Sequence, residues 1–286
     1  MEFTYFQAIV TGVVQGITEL FPISSLGHAV LLPAWIGGSW STFTTDPSSS
    51  YLSVTVAFHL ASAVALFIVF RKRWIGLIAG GLQSIRGVKS EASGVFWRVV
   101  IATIPVAIIG KVFEEPLGKI FAKPIFAGLF LTINGVILFT VERVTRRTSA
   151  PHPAENSNAE IMQHVTIPVA LTIGFGQSLA LLSGISRFGI TMSSGLLRRL
   201  SHASAADFAF LLALPVIAGA AILKVPELFT PEQTHIRGQI VVGSLVSFVC
   251  TYASVTFLVR WFRTRTLYPF AIYSLIVGLA SVIRFG

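Results

Sequence analysis

Hydrophobic residues run through this chain in long uncharged blocks, which are separated by short clusters of charged residues. Six blocks have about the length of a membrane-spanning helix, and they lie at about 51–70, 95–111, 124–142, 208–224, 239–260 and 266–284. A helix needs roughly 20 consecutive apolar residues to cross the hydrocarbon core of a bilayer. The pattern therefore predicts six transmembrane helices.

Two further apolar stretches, 3–34 and 161–198, are interrupted near their middles by proline, glycine and serine. The first interruption lies at 21–28 and the second at 183–189. These residue types end helices, and backbone groups that are freed inside a membrane need polar partners. We expect each stretch to form a re-entrant helix pair, which enters the membrane halfway and returns to the side from which it came.

The composition excludes a soluble enzyme or a nucleic-acid-binding protein. Hydrophobic residues make up 53% of the chain and charged residues only 12%, with a mean hydropathy of +0.78. A soluble domain carries about twice that charged fraction. The net charge of +9 therefore reflects the loops that face the cytoplasm. One cysteine, Cys250, lies within an apolar block, so neither a disulfide framework nor a thiolate metal site is expected.

The distribution of lysine and arginine predicts the orientation. When the loop after the first span is placed in the cytoplasm, cytoplasmic segments hold 14 of the 21 basic residues and outer segments hold 6. The remaining one, Arg187, lies inside a break. Since basic residues concentrate on the cytoplasmic side, the first broken stretch should enter from outside and the second from the cytoplasm.

The two breaks align with each other without a gap. When residues 15–27 are placed over 177–189, a glutamine, an Ile-Ser pair and a glycine recur at identical offsets. Three spans follow each break, which divides the chain into a first repeat (1–142), a polar linker (143–160) and a second repeat (161–286). Inverted repeats with broken helices place a site near the membrane midplane. The expected fold is an all-α polytopic membrane protein with six transmembrane helices plus two re-entrant helix pairs in an inverted repeat.

Glu19 is the only charged residue between positions 3 and 45, and Arg187 is the only one between 161 and 197. A charge inside a membrane is costly, so it usually faces a protein-lined cavity and has a partner. The two residues could pair with each other to hold the repeats together, or they could serve a bound anion. Arginine suits phosphate, because its planar guanidinium donates paired hydrogen bonds. Gln15 lies one helical turn before Glu19 and shares its face.

Three serines, Ser24, Ser25 and Ser186, lie where short helices are expected to begin. Helix N-termini present free N–H groups that suit an anion, although serines there also act as ordinary N-caps, which is the favoured role for Ser24. His28 follows Ser25 by three residues and is expected on the same face, where a hydroxyl, an imidazole, a carboxylate and a guanidinium would converge. His59, in the first span, either lines this cavity or bonds a neighbouring helix, and the second role is favoured.

Residues 15–28 and 183–191 resemble the two signatures of the bacterial undecaprenyl-diphosphatase (bacitracin-resistance) family. Shorter blocks around His59, at 210–215 and at 269–273 also resemble this family, so the likeness spans nearly the whole chain. The resemblance implies an enzyme of the bacterial inner membrane whose site faces the outer side. Such an enzyme hydrolyses undecaprenyl (polyprenyl) diphosphate to the monophosphate and inorganic phosphate, which recycles the lipid carrier of cell-wall synthesis.

Together, the spacing of the residues and the resemblance predict a site of ten residues. The expected catalytic residues are Glu19, Ser25, His28 and Arg187, and the expected substrate-binding residues are Gln15, Ser24, Gly27, Gly184, Ser186 and Thr191. The resemblance further implies a divalent cation, Mg²⁺ or Ca²⁺, as cofactor. The expected partners are a polyprenyl diphosphate lipid and the bilayer, with a homodimer as an option and no nucleic acid.

The chain departs from the family pattern at several positions. Leu26 and Phe188 stand where threonine and serine are usual, at equivalent places of the two repeats, so the cavity is expected to be altered on both sides. Ser183 and Ser274 replace a usual proline and a frequent arginine. Ser25 is the expected nucleophile, with attack by water or by His28 left open. The alternative function is a lipid-phosphate transporter or flippase of the same fold, because inverted repeats also suit alternating access.

Overall fold

The computed structural model describes residues 3–45, 51–113, 123–145, 156–224 and 231–286. Within these ranges the chain forms twelve α-helices and no strand, which confirms the all-α fold class. The helices are α1 (Tyr5–Thr18), α2 (Ser25–Ile36), α3 (Gly38–Thr45), α4 (Tyr51–Ile85), α5 (Glu91–Val112), α6 (Pro124–Thr145), α7 (Ser157–His164), α8 (Ile167–Gln177), α9 (Arg187–Leu197), α10 (His202–Lys224), α11 (Arg237–Trp261) and α12 (Tyr268–Phe285), with 3-10 helices at Ser178–Leu181 and Pro231–Ile236.

The six predicted spans are confirmed by length and composition. In the described part of the chain, α4, α5, α6, α10, α11 and α12 are long and apolar enough to cross a membrane. The prediction for α4 was too short, because the expected span ended at residue 70 whereas the helix runs to Ile85. Its 35 residues extend about 52 Å, more than the roughly 30 Å of a bilayer core. The basic residues at 71–73 therefore belong to a helical extension and not to a loop.

Both predicted breaks are present, with different limits. The first lies between α1 and α2 at residues 19–24, so residues 26–28 are already helical. The second lies between the 3-10 helix and α9, at residues 182–186. The structure adds a bend of 94° between α7 and α8, where Pro168 lies in the first turn of α8 and favours a helix start. The return of each pair to its own side of the membrane stays a prediction.

Equivalent helices of the two halves pack in equivalent ways. Helix α1 packs against α11, and α8 packs against α5. Gly12 and Gly174, which the gapless alignment pairs, each leave room for a carbonyl oxygen of the facing helix, from Gly243 and Ala102 respectively. Helices α6 and α12 pack together beside the breaks. These contacts support the proposed repeat, although residues 146–155 of the linker lie outside the described ranges.

Candidate active site

The two breaks meet at a small cavity of about 20 Å³. The lining comes from the first break and the start of α2, from the middle of α4, and from the second break with the start of α9, namely Glu19, Ser24, Ser25, Leu26, His59, Ala180, Ile185, Ser186 and Arg187. The two charged residues singled out in the sequence therefore share one chamber. The fold brings them together although 167 residues separate them along the chain.

The carboxylate of Glu19 is the centre of the polar network in this cavity. Its Oε2 accepts hydrogen bonds from Ser25 Oγ at 2.5 Å and from Gln15 Nε2 at 2.8 Å. The Nε2 of His59 lies 3.2 Å from the same oxygen. Helix α1 ends just before Glu19, which keeps helical backbone angles, so Gln15 is correctly spaced to bond it. Ser25 and Glu19 thus form the pair of hydroxyl and base that nucleophilic catalysis requires.

Arg187 is the first residue of α9, and its half-buried side chain lines the cavity. In the described part of the chain, its Nε and Nη1 atoms have no hydrogen-bond partner, and no carboxylate lies within 4 Å of its guanidinium. Arg187 therefore makes no direct ion pair with Glu19 in this structure. Buried donors in native proteins are almost always satisfied, by protein groups, by ordered water or by a ligand. A bound anion would satisfy the unpaired N–H groups of Arg187.

Two helix N-termini open toward the same cavity. Ser24 caps α2 by accepting a hydrogen bond from the Gly27 N–H at 3.2 Å, and Ser186 caps α9 through the Gly189 N–H at 3.1 Å. Each cap satisfies the third N–H group of its helix, which leaves the first two without an intrahelical acceptor. Both serines therefore act as N-caps, as favoured for Ser24, and the free N–H groups suit an anion.

The two glycines expected to bind substrate instead bring the breaks together. A Cβ added to Gly27 would lie 2.9 Å from the Cα of Gly184. Gly184 has a φ of +115°, and a Cβ there would lie 2.5 Å from the Ala127 carbonyl oxygen. Neither glycine lines the cavity, and neither does Thr191, which lies one turn after Arg187. Substrate contact by these three residues stays a prediction.

His28 does not converge on the cavity, which corrects the expectation. Its Nδ1 lies 2.7 Å from the Ser24 carbonyl oxygen and its Nε2 lies 2.8 Å from the Tyr273 hydroxyl. Residues three apart on a helix differ by about 60° around its axis, so the side chains of Ser25 and His28 diverge. The imidazole lines a separate apolar groove of about 520 Å³ between α1, α2 and α12.

Two buried residues of the site were underestimated or missed. His59, which was favoured as a structural residue, lines the cavity and contacts Glu19. Asn134 is fully buried in α6 and clamps the two breaks, because its Nδ2 donates to the Pro22 carbonyl at 2.9 Å and its Oδ1 accepts from the Ser186 N–H at 3.0 Å. The signal available in the sequence was the presence of a strongly polar side chain, His59 or Asn134, near the middle of a predicted span.

The departures from the family pattern affect one side of the cavity, not both. Leu26 lines the cavity. Phe188 is buried in the core, where its ring lies 4.7 Å from that of Phe210. The aromatic side chain at the second position therefore points away from the expected phosphate site, and the expectation of a change on both sides is wrong.

The side chains that line the cavity do not offer enough oxygen ligands to hold a divalent cation by themselves. Glu19 is the single carboxylate among the lining residues, and its Oε2 already accepts from Ser25 and Gln15. The described ranges contain no group of three or more His, Cys, Asp or Glu side chains that could hold a metal ion. Mg²⁺ and Ca²⁺ take six or more oxygen ligands, which these residues do not supply.

Comparisons with known proteins agree with the two signatures. The sequence model of the family described as "Bacitracin resistance protein BacA" matches residues 8–280. The chain is 43% identical to "Undecaprenyl-diphosphatase 2" of Frankia alni, over 100% of this chain and 99% of that protein. It is also 43% identical to "Undecaprenyl-diphosphatase" of Mycolicibacterium paratuberculosis, over 98% and 97%, and 42% identical to that of Mycobacterium avium, over 99% and 97%. The chain therefore belongs to the bacitracin resistance protein BacA family.

Proposed function

We propose that this chain is a membrane phosphatase that hydrolyses undecaprenyl diphosphate, or a related polyprenyl diphosphate, to the lipid monophosphate and inorganic phosphate. The observation that carries the proposal is the hydrogen bond from the Ser25 hydroxyl to Glu19, in a cavity that also exposes the unpaired guanidinium of Arg187. The relatives named undecaprenyl-diphosphatase support this reaction, and they give the transporter alternative no support.

The geometry supports a two-step transfer of the terminal phosphoryl group. Arg187 and the free N–H groups of the two helix N-termini bind the phosphate and stabilise its charge in the transition state. Glu19 accepts the Ser25 proton as the Oγ attacks the terminal phosphorus, and the bond to the bridging oxygen breaks with its electron pair on the departing lipid monophosphate. Water then attacks the phosphoserine, and the P–Oγ bond breaks with its electron pair on Ser25 Oγ. Glu19 returns its proton to this oxygen, and the proton of the attacking water leaves with the released phosphate. Direct attack by water in place of Ser25 would use the same base.

The surroundings of the cavity support a lipid substrate. The apolar groove between α1, α2 and α12 is lined by Phe21 and Ile23 of the first break, and this break also provides Glu19 to the cavity. An isoprenoid chain in this groove would lie beside the break that carries Glu19. The excess of basic residues in the expected cytoplasmic segments supports the predicted orientation of the spans. Membership of the family supports a bacterial inner-membrane location with the site toward the outer side, and the product would return to the carrier cycle of cell-wall synthesis.

Phosphate release by the purified protein tests this proposal. The protein in detergent is incubated with undecaprenyl diphosphate, with and without a chelator, and free phosphate is measured. Three variants each remove one group of the site, namely Ser25→Ala, Glu19→Gln and Arg187→Ala. Each should lower the rate of phosphate release by at least about 100-fold. Gly76→Ala, at an α4 position with open space around it, is the matched control and should keep the wild-type rate. Binding without phosphate release, or wild-type rates in the three variants, would overturn the proposal.

A further inference from the structure

Both ring nitrogens of His59 face hydrogen-bond acceptors. Nδ1 lies 2.7 Å from the Thr55 carbonyl oxygen of the preceding turn of α4, and Nε2 lies 3.2 Å from Glu19 Oε2. A carbonyl oxygen can only accept, and Glu19 Oε2 already accepts from Ser25 and Gln15. Both nitrogens must therefore donate, which only the imidazolium form can do. His59 is thus a cation in the resting site.

The charges around His59 are few. Glu19, from the first break, and Arg187, from the start of α9, are the other ionisable groups among the residues that line the cavity. Helix α11 packs against α4 and presents hydroxyl groups nearby, where Ser62 bonds Ser247 at 3.1 Å and Thr251 at 2.9 Å. One negative charge therefore lies between two positive ones, which leaves the empty cavity with a net positive charge.

A bound diphosphate changes this balance. It brings two or more negative charges into a buried cavity beside Glu19, and like charges at short range in a medium of low polarity favour the neutral carboxylic acid. A protonated Glu19 could not accept the Ser25 proton. A cation in direct contact with the carboxylate offsets this repulsion, and Arg187 makes no such contact within 4 Å.

We propose that His59 is a positioning residue that keeps Glu19 ionised and directed toward Ser25 while the anionic substrate is bound. The inference rests on the proposed phosphatase function and extends it by one residue. His59 acts through Glu19, whereas Arg187 holds the phosphate, so the charge of His59 contributes mainly to the chemical step. The network is Ser25, Glu19 and His59 in that order, with the carboxylate and not the imidazole in contact with the nucleophile.

The pH dependence of His59→Gln tests the proposal. The glutamine amide can still donate to Glu19 but carries no charge. At pH 6 we expect kcat for phosphate release from undecaprenyl diphosphate to fall at least about 10-fold, with a smaller change in KM. The difference from wild type should narrow as the pH rises, because deprotonation of His59 in the wild type would remove the charge that the variant lacks. His59→Asn, measured in the same way, provides a second neutral variant.

Two controls separate this role from a structural one. Ser62→Ala, one turn further along α4, removes hydrogen bonds to α11 outside the cavity and should give a ratio to wild type that does not change with pH. In a Glu19→Gln background, His59→Gln should cause no further loss. A ratio for His59→Gln that is constant with pH, an unchanged kcat, or fully additive losses would overturn the role of His59. Absence of phosphate release by the wild type would instead contradict the proposed function.

Discussion

The hydroxyl oxygen of Ser24 accepts a hydrogen bond from the backbone N–H of Gly184, 3.1 Å away. This bond joins the two breaks, which lie 160 residues apart in the chain. The same oxygen caps α2 through the Gly27 N–H. One side chain therefore satisfies backbone donors of both breaks, at the junction where the cavity forms.

Two substitutions at Ser24 should distinguish the stabilising effect of its hydrogen bonds from the cost of its strained backbone. Ser24 has a φ of 69°, which costs a non-glycine residue about 1–3 kcal/mol. Ser24→Ala keeps this strain and leaves the buried Gly184 N–H without an acceptor, so we expect a loss of about 2–3 kcal/mol. Ser24→Gly relieves the strain and should lose less. Thermal unfolding in detergent measures the order, and equal stabilities of the two variants would contradict this account.

Gly184→Ala should be strongly destabilising. A Cβ at this position would lie 2.5 Å from the Ala127 carbonyl oxygen and 2.6 Å from the Leu131 nitrogen, on a backbone with positive φ. Backbone atoms of a packed helix cannot move aside cheaply, so the cost should exceed about 3 kcal/mol and lower the melting temperature. Gly76→Ala is the control, since it adds a methyl group to a helix in open space and should leave stability equal or higher. Similar melting temperatures for both variants would refute the prediction.

Asn134→Leu should lower stability and activity together. The substitution leaves the Pro22 carbonyl and the Ser186 N–H without their buried partner. Each unsatisfied group should lower the free energy of unfolding by about 1–3 kcal/mol. Thr132→Val is a suitable control on the same helix, because the Thr132 hydroxyl bonds only the Gly128 carbonyl of its own helix. We expect the control to stay within about 0.5 kcal/mol of wild type. Thermal unfolding and phosphate release on the same samples provide the measurement.

His28→Ala should reduce activity through the geometry of the first break. The imidazole holds the Ser24 carbonyl and the Tyr273 hydroxyl, so its removal loosens the turn that positions Ser25. We expect lower activity and a lower melting temperature, with a pH profile of wild-type shape. Tyr273→Phe removes only the second of these bonds and should cost less. A pH profile altered by His28→Ala would argue that this histidine takes part in proton transfer after all.

The two positions that depart from the family pattern should respond differently. Leu26→Thr places a hydroxyl on the cavity wall, where it can bond phosphate, and should leave stability almost unchanged while it raises kcat/KM a few-fold. Phe188→Ser removes a buried ring that packs against Phe210 and should cost about 3–5 kcal/mol. Phosphate release and thermal unfolding distinguish these outcomes. Equal effects of the two substitutions on both measurements would contradict the placement of Phe188 in the core.

The amino-acid sequence by itself determined the spans, the two breaks and the charged residues of the site. Membrane helices follow from the length of apolar blocks, which is a local property. Ser24 and Ser186 cap helices through bonds to residues three positions ahead, so these helix starts are also encoded locally. Glu19 and Arg187 were recognisable because a charge in an apolar stretch is too costly to lack a function.

Tertiary packing decided which face each side chain presents, and here local reasoning failed. His28 and His59 are both isolated histidines in apolar surroundings, and only the rotation of α2 and α4 against their neighbours turns the first toward Tyr273 and the second toward Glu19. The course of α4 beyond residue 70 also depends on packing, because Trp74 and Leu77 of this extension are buried in the core. Helical periodicity relates residues within one helix, but the rotation of that helix about its axis is set by the combined contacts of all its neighbours.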